Sequence, residues 1–244
     1  MEKKIENWVK KIVRGKLWRK PQISFCNAES TEILPKIIPN HLTAEDVLPN
    51  AKSVIVYFIP FTEDVVKSNA NGKRPSKLWA LAYIETNKLI EFINDYLSKK
   101  LENLGFRCAK IEPTHNFDEN SLMSYWSHKH IAYFAGLGTF GVHTMLITEK
   151  GCCGRLGSLI TDAELKYGEI IGEELCIHKK GKKCLKCVEK CPVNALKENY
   201  FDRRKCYEFL IKNSRIYGFF ADVCGKCACG VPCSKEISNS HKYL

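Results

Sequence analysis

The chain has 244 residues, of which 45% are hydrophobic and 27% charged, and this composition excludes collagen-like, low-complexity and largely disordered proteins. Its 38 lysines and arginines against 27 acidic residues give a formal net charge of +11, which favours encounters with polyanions or with an acidic protein. No apolar stretch approaches the roughly 20 residues of a membrane-spanning helix, and the charged N-terminus lacks the apolar segment of a signal peptide. We therefore expect a cytoplasmic globular protein.

The first hundred residues alternate between helix-like and strand-like patterns. Apolar residues at helical spacing over residues 5–13 predict a basic amphipathic helix. The β-branched and aromatic run at residues 51–60 predicts a buried central strand. A long amphipathic helix is predicted from Ser76, a typical N-cap, to Gly105, a typical C-terminal stop.

The following segment predicts shorter elements. We expect a strand at residues 106–111, a helix at 121–135 and strand-like stretches at 145–148 and 156–161. Because helices and strands are mixed along the chain, the first part is predicted to be an α/β (α+β) domain.

Three glycines, Gly136, Gly138 and Gly141, formally match the G-x-G-x-x-G pattern of dinucleotide-binding proteins. That pattern requires a strand before the glycines and a helix after them, whereas here a helix precedes and a strand follows. The glycines are better interpreted as positions where the backbone turns tightly or approaches a flat ligand closely.

Cysteine is unusually abundant, with 13 residues in the chain. Disulfides rarely persist in the cytosol, so clustered cysteines in a chain without an export signal indicate metal binding or redox chemistry. Only Cys26, Cys108, Cys152 and Cys153 lie in the first 170 residues, and the other nine lie between Cys176 and Cys233. The chain is therefore predicted to have two parts.

The cysteine-rich part contains a C-x2-C-x3-C-P motif at Cys184, Cys187 and Cys191. In bacterial ferredoxins such a motif binds iron–sulfur clusters, and the cysteine before proline ligates a second cluster. A second group, Cys224-Gly-Lys-Cys227-Ala-Cys229-Gly-Val-Pro-Cys233, follows with altered spacing. The two groups together predict two 4Fe-4S clusters.

Ferredoxin-type interleaving predicts which thiolates share a cluster. The predicted ligands of the first cluster are Cys176, Cys184, Cys187 and Cys233, and those of the second are Cys191, Cys206, Cys224 and Cys227. This makes Cys229 the spare cysteine, although the long C-x7-C spacing leaves Cys176 or Cys233 as alternatives. Structural zinc, which also accepts C-x2-C pairs, is the competing interpretation of the whole set.

The order of motifs resembles one enzyme family. The segment A-G-L-G-T-F-G-V-H-T-M-L-I-T (135–148) is followed by G-R-L-G-S-L-I-T-D (154–162), the C-x2-C-x3-C-P motif, D-R-R-K-C-Y (202–207) and a last C-x2-C. This order is similar to the epoxyqueuosine reductases, especially to short members without the C-terminal helical-repeat domain. The resemblance implies a nitroreductase-like, cobalamin-binding α/β domain at residues 1–172 and a bacterial ferredoxin-like domain with two clusters at residues 173–244.

The resemblance also implies a site. It assigns cofactor binding to the glycine segment, with the candidates Gly136, Leu137, Gly138, Thr139, Phe140, Gly141 and His143. Members of the family carry an aspartate proton donor before the glycines; ungapped counting puts Leu122 at that position, and Asp118 replaces it only after a shift of register. The catalytic candidates are therefore Asp118, His130 and His143.

The implied function is an iron–sulfur oxidoreductase that passes electrons through two clusters to a cobalamin-type cofactor for reductive deoxygenation or a similar reduction. A ferredoxin or flavodoxin is the expected electron donor, attracted by lysines among the ligands, and tRNA or another polyanion is a second expected partner; the lysines are Lys182, Lys183, Lys186 and Lys190. One alternative is a cobalamin-free iron–sulfur electron carrier, or an activating reductase, whose first domain is empty or binds flavin. The other is a zinc-dependent RNA-binding module.

Overall fold

The computed structural model describes residues 1–217 and 221–236. Its helices are α1 (Glu2–Ile12), α2 (Leu34–Ile37), α3 (Ala44–Val47), α4 (Glu63–Ser68), α5 (Lys77–Glu102), α6 (His128–Phe134), α7 (Lys186–Glu189) and α8 (Arg203–Tyr217). Its strands are β1 (Gln22–Asn27), β2 (Ser53–Pro60), β3 (Cys108–Lys110), β4 (Gly138–Phe140), β5 (Leu146–Thr148) and β6 (Gly154–Thr161). The mixed α/β class is confirmed. The second predicted domain, 173–244, includes residues 218–220 and 237–244, which lie outside the described residues.

Four strands form the main sheet in the order β1-β2-β6-β3, and every neighbouring pair is antiparallel. All eight residues of β2 are buried, which confirms the predicted central strand. Strands β4 and β5 form a separate antiparallel pair, in which Thr139 lies opposite Ile147. Part of the glycine segment therefore lies in this pair and not in the main sheet.

Helices cover both faces of the main sheet. Side chains alternate along a strand, so neighbouring residues of β2 face opposite sides. Ile55 and Ile59 pack with Ile93 of α5 on one face, whereas Val54 packs with Ile131 of α6 on the other. The two amphipathic helices therefore enclose β2 between two apolar layers.

The long helix follows the capping rules that predicted it. The Ser76 hydroxyl accepts a hydrogen bond from the Trp79 backbone N–H, which satisfies one of the free donors at the start of α5. The helix ends at Glu102, and Gly105 adopts a φ of +88°, a conformation that glycine reaches without steric cost.

The helix predicted at residues 121–135 is wrong in its first half, because α6 begins only at His128. Leu122 has a φ of +56°, which is incompatible with a right-handed helix. The Asp118 carboxylate accepts a hydrogen bond from the Ser121 backbone N–H and stabilises a turn instead. Trp126 is one of the apolar residues on which the helix prediction rested. It is buried and donates its indole N–H to Ser158 on β6.

The cysteine-rich segment packs against the N-terminal part of α5. Val223, Ala228 and Cys229 share an apolar cluster with Trp79 and Tyr83. Among the helices of residues 1–217 and 221–236, none combines the length and the apolar character that a membrane crossing requires.

Candidate metal and cofactor site

Four of the predicted ligands line one cavity. These cysteines, which we call set one, are Cys176, Cys184, Cys187 and Cys233. Cys187 lies on the short helix α7, and Cys233 lies 46 positions later on the short 3₁₀ helix Pro232–Ser234. The fold therefore brings the distant Cys233 back to the C-x2-C pair, and all four cysteines line one small space.

The other four predicted ligands line a second cavity of about 250 Å³. These cysteines, set two, are Cys191, Cys206, Cys224 and Cys227. Cys206 lies on α8, and Cys191 directly precedes Pro192. The turn with the C-x2-C pair is anchored by Lys226, whose ammonium group donates hydrogen bonds to the carbonyl oxygens of Asn69 (3.0 Å) and Asn71 (2.6 Å).

Glycine is required between two of the set-two cysteines. Gly225 has a φ of +68°, and a Cβ atom there would lie 2.3 Å from the Trp79 ring. The turn therefore packs directly on α5, which fixes set two against the first part of the chain.

Both sets include thiols with raised pKa values. Burial is the largest cause that raises the pKa of Cys187, Cys206 and Cys224 to about 11. Without a metal these groups are neutral thiols at pH 7, and a metal that binds them as thiolates must displace their protons. Two sets of four soft sulfur donors fit the ligand requirement of two 4Fe-4S clusters.

Cys229 lies apart from both cavities. Its side chain is fully buried, its sulfur is 3.9 Å from that of Cys153, and the Asn69 side-chain amide donates to it at 3.4 Å. The neighbouring Cys152 is 4.0 Å from Cys233. This geometry favours Cys229 as the spare thiol.

A third arrangement of ligand atoms involves His143. Among the described residues, His143, Cys152 and Cys233 place one ligand atom each within 4.8 Å of one another. One nitrogen and two sulfurs form an incomplete tetrahedral set of the kind zinc accepts. The group shares Cys233 with set one, so the two arrangements exclude each other.

A large open cleft of about 920 Å³ adjoins set two. Cys206, Leu210 and Asp222 line both the cleft and the set-two cavity. Its lining includes basic and aromatic side chains, namely Lys129, Lys179, Arg203, Phe140, Tyr200 and Tyr207. A further cavity of about 400 Å³ shares Phe117, Leu122 and Lys129 with the cleft. Together these spaces are large enough for a bulky organic cofactor beside set two.

A polar group of four side chains lies where the cavities meet. The Tyr83 hydroxyl donates to the Asp222 carboxylate at 2.8 Å, and His115 lies 3.5 Å from the other carboxylate oxygen. The Arg155 guanidinium lies over the Tyr83 ring, 4.4 Å from its centroid. Burial is the main cause that raises the pKa of Tyr83, so its hydroxyl keeps its proton at neutral pH. Tyr83 lines the set-two cavity and Asp222 lines both that cavity and the cleft, so this pair holds a proton beside the cleft.

Arg155 also has an unused donor. Its Nη2 atom donates to the Pro113 carbonyl oxygen at 2.9 Å, but its buried Nε atom has no hydrogen-bond partner among the described residues. Buried donors are rarely left unpaired in proteins. Because Arg155 lines both the set-two cavity and the 400 Å³ cavity, this donor fits a bound polar or anionic group there.

The sequence did not single out Tyr83, Arg155 or Asp222. Arg155 lies in the G-R-L-G segment and Asp222 two positions before Cys224, so both were close to recognised motifs. Tyr83 was absent even from the predicted apolar stripe of the long helix. No local pattern signals a hydrogen bond between positions 139 residues apart.

The glycine segment has a largely structural environment. A Cβ atom on Gly136 would lie 1.9 Å from the Glu169 carbonyl oxygen, and one on Gly138 would lie 2.0 Å from that of Ile147. Leu137 is buried in the core, and Thr139 donates to Glu174 at 2.6 Å. The remaining cofactor candidates are Phe140 and Gly141, which line the cleft, and His143, which lies between the two sets.

The other catalytic candidates are poorly suited to donate a proton at neutral pH. The hydrogen bond from the Ser121 backbone is the largest of the interactions that lower the pKa of Asp118, and Asp118 is not part of the lining of the cavities described above. His130 lines the cleft and packs on Phe140, but burial lowers its pKa to about 4. Asp118 is therefore ionised and His130 neutral at pH 7.

His128 gives a testable pH dependence. Its Nε2–H donates to the Glu112 carbonyl oxygen at 3.0 Å, its Nδ1 accepts from Ser158 at 2.8 Å, and burial lowers its pKa to about 4. Between pH 4 and the ordinary value of 6.5, the unfolded chain therefore binds more protons at His128 than the folded chain does. The stabilisation of the fold by neutral His128 is thus complete above pH 6.5 and is lost as the pH falls towards 4. Between pH 7 and pH 4.5, the unfolding free energy of the wild type should therefore fall by about 2 kcal/mol more than that of a His128→Asn variant.

Anaerobic denaturant unfolding of both proteins at each pH measures this difference, and the comparison cancels acid-dependent effects that the two share. An identical pH dependence in the two proteins would show that His128 is not the titrating group.

Comparisons with known proteins identify similar folds. No protein-family model matches the chain. A curated epoxyqueuosine reductase from Aliivibrio fischeri is 37% identical over 89 residues, which are 35% of this chain and 22% of that protein. The similarity to epoxyqueuosine reductases predicted from the motifs is confirmed.

Solved structures extend the similarity to nearly the whole chain. An epoxyqueuosine reductase bound to an epoxyqueuosine-modified tRNA stem loop has a TM-score of 0.57 and 19% identity, with 96% of this chain and 66% of that chain covered. A catabolic reductive dehalogenase has a TM-score of 0.60 and 16% identity, with 85% and 29% covered. At these identities the likeness shows a shared fold. The chain spans about two thirds of the length of the solved epoxyqueuosine reductase.

Proposed function

We propose that this protein is an iron–sulfur reductase in which cysteine sets one and two each bind a 4Fe-4S cluster and the large cleft binds a corrinoid. The observation that carries the proposal is the sorting of eight thiols into two cavities, the second of which adjoins the cleft. The cysteine-rich part, from residue 173, then acts as a ferredoxin-like unit, and residues 1–172 form a nitroreductase-like unit that holds the cofactor.

The residues of the site have separate roles in such a reaction. A bound corrinoid supplies a strongly reducing metal centre that accepts single electrons. The cysteines hold the clusters beside the cleft, and the Tyr83–Asp222 pair holds a proton at the Tyr83 oxygen. Arg155 offers its free Nε–H to a polar group of the cofactor or substrate. Removal of an oxygen or a halogen atom consumes electrons and protons, and these groups provide a path for both.

Electrons enter most easily at set one. Lys182 and Lys183 are exposed next to Cys184, whereas Lys186 pairs with Glu189 at 2.8 Å. Neither ammonium group has an ion-pair partner among the described residues, and two such positive charges beside the set-one cluster attract an acidic donor protein such as a ferredoxin or a flavodoxin. Lys190 contributes less, because its ammonium group already donates to the Ala70 carbonyl oxygen at 2.7 Å.

The substrate is proposed to be polyanionic. Lys197 and Arg203 line the cleft, where they can contact phosphate groups, and Lys179 lines it with its ammonium group already donating to the Phe140 carbonyl oxygen at 2.6 Å. One epoxyqueuosine reductase of similar fold was solved with a tRNA stem loop. We therefore place reductive deoxygenation of a modified RNA first among the reactions of this site, with dehalogenation of a small molecule as the alternative.

Titration of the anaerobic, iron-loaded protein with cobalamin tests the proposal. We expect saturable binding of about one cobalamin per chain, with a change in the corrinoid absorption spectrum. Arg155→Leu should weaken binding, because it removes the free donor in the cavity. Arg107→Leu is the matched control, since Arg107 is exposed and pairs with Asp162 at 2.8 Å.

The other outcomes identify the alternatives. Iron–sulfur absorption without cobalamin binding would indicate an electron carrier or an activating reductase, and additional flavin bands would indicate a flavoprotein. A colourless protein that contains zinc would favour the metal-stabilised RNA-binding module, consistent with the His143, Cys152 and Cys233 group.

A further inference from the structure

The His143 side chain lies between the two cysteine sets. It is buried and lines both the set-one cavity and the set-two cavity. A side chain in this position lies between the two proposed clusters. Its hydrogen bonds can therefore affect electron transfer between these clusters.

Two contacts orient the imidazole. The Met145 backbone N–H donates to Nδ1 at 3.2 Å, and Nε2 lies 3.3 Å from the Cys233 sulfur. A ring nitrogen that accepts a hydrogen bond carries no proton, so the proton of the neutral ring is on Nε2. The Nε2–H group therefore donates to the Cys233 sulfur.

The surrounding turn is built to hold the ring. The Gly141 N–H donates to the Met145 carbonyl oxygen at 3.0 Å, and the Thr144 N–H donates to the Gly141 carbonyl oxygen at 2.9 Å. A Cβ atom on Gly141 would lie 2.6 Å from Cε1 and 2.9 Å from Nδ1 of His143. Since Gly141 is not among the residues with positive φ, the imidazole rather than the backbone requires glycine here.

We propose that His143 is a positioning residue that donates a hydrogen bond to the Cys233 ligand of the set-one cluster and thereby raises the reduction potential of that cluster. This inference rests on the proposed function, because it requires a cluster at set one. A reduced cluster carries one more negative charge, which is shared by its sulfur ligands. A hydrogen-bond donor to one of them stabilises the reduced state more than the oxidised state.

Potentiometric titration of the reconstituted protein, followed by electron paramagnetic resonance, tests this role. His143→Leu should lower the potential of one cluster and leave the other unchanged, with an effect of about tenfold on the reduction equilibrium, or about 59 mV for a one-electron couple. His143→Gln, which retains an N–H donor, should restore part of the shift. Gly141→Ala keeps every donor but displaces the ring, so it should shift the same cluster in the same direction.

Iron and sulfide analysis separates the possible failures. Wild-type protein without clusters would contradict the proposed function. Full iron content with unchanged potentials in both His143→Leu and Gly141→Ala would overturn the inference alone. Loss of one cluster in His143→Leu and also in His143→Gln would overturn it as well, because it would make His143 a ligand or a structural group rather than a tuning donor.

Discussion

Replacing Cys227 with serine should reduce the iron content of the anaerobically reconstituted protein from about eight to about four atoms per chain. Cys227 lines the set-two cavity together with the three other thiols of that set. Serine has nearly the same size but is a much weaker ligand for iron than a thiolate. Iron and acid-labile sulfide measured per chain report the loss directly, and the remaining cluster should still be reducible.

The matched control is Cys229→Ser, only two positions away. Cys229 is fully buried and Cys227 half-buried, and both variants exchange only a thiol for a hydroxyl, so the folding cost of the control is at least as large. Its sulfur contacts Cys153 and the Asn69 amide rather than the set-two cavity, so the control should retain about eight irons. Greater iron loss in Cys229→Ser than in Cys227→Ser would reverse the ligand assignment.

Removing the Tyr83 hydroxyl should slow substrate reduction by about 10² to 10⁴-fold, the usual contribution of a positioned general acid. The Tyr83→Phe variant keeps the ring that packs under Arg155 but deletes the only proton that the hydroxyl can deliver. Cluster content and cobalamin binding should be unchanged. The rate of substrate reduction at saturating electron donor measures the effect.

Tyr57→Phe provides a control for the loss of a buried tyrosine hydroxyl. Tyr57 is fully buried, and its hydroxyl donates to Asn94 at 2.8 Å in the interface between β2 and α5, away from the cavities. It should lower stability by about 1 kcal/mol with little effect on rate. Equal rate losses in the two variants would show that Tyr83 acts through stability and not through its proton.

His130 and His143 illustrate why residue type is a weak guide to role. Both were catalytic candidates because imidazole titrates near neutral pH. In the structure, burial lowers the pKa of His130 to about 4, and the backbone around His143 orients its proton towards a sulfur. The roles of both depend on surroundings contributed by other segments.

The sequence alone determined the local features of this protein. A run of β-branched and aromatic residues predicted β2, and a serine N-cap predicted the start of α5, because strand burial and helix capping depend on neighbours within a few positions. The C-x2-C pairs predicted iron–sulfur ligands for the same reason, since two residues of separation bring their sulfur atoms close together.

Only the tertiary structure decided what meets across the chain. Cys233 joins Cys176, and Tyr83 meets Asp222, because the cysteine-rich segment packs on α5 over the Gly225 turn. The first half of the helix predicted at residues 121–135 fails for a related reason: Trp126 is buried by a contact with Ser158 on a distant strand and not by a helical face. Hydrophobic periodicity and motif spacing report interactions between near neighbours, whereas this site also depends on residues that lie from 57 to 157 positions apart.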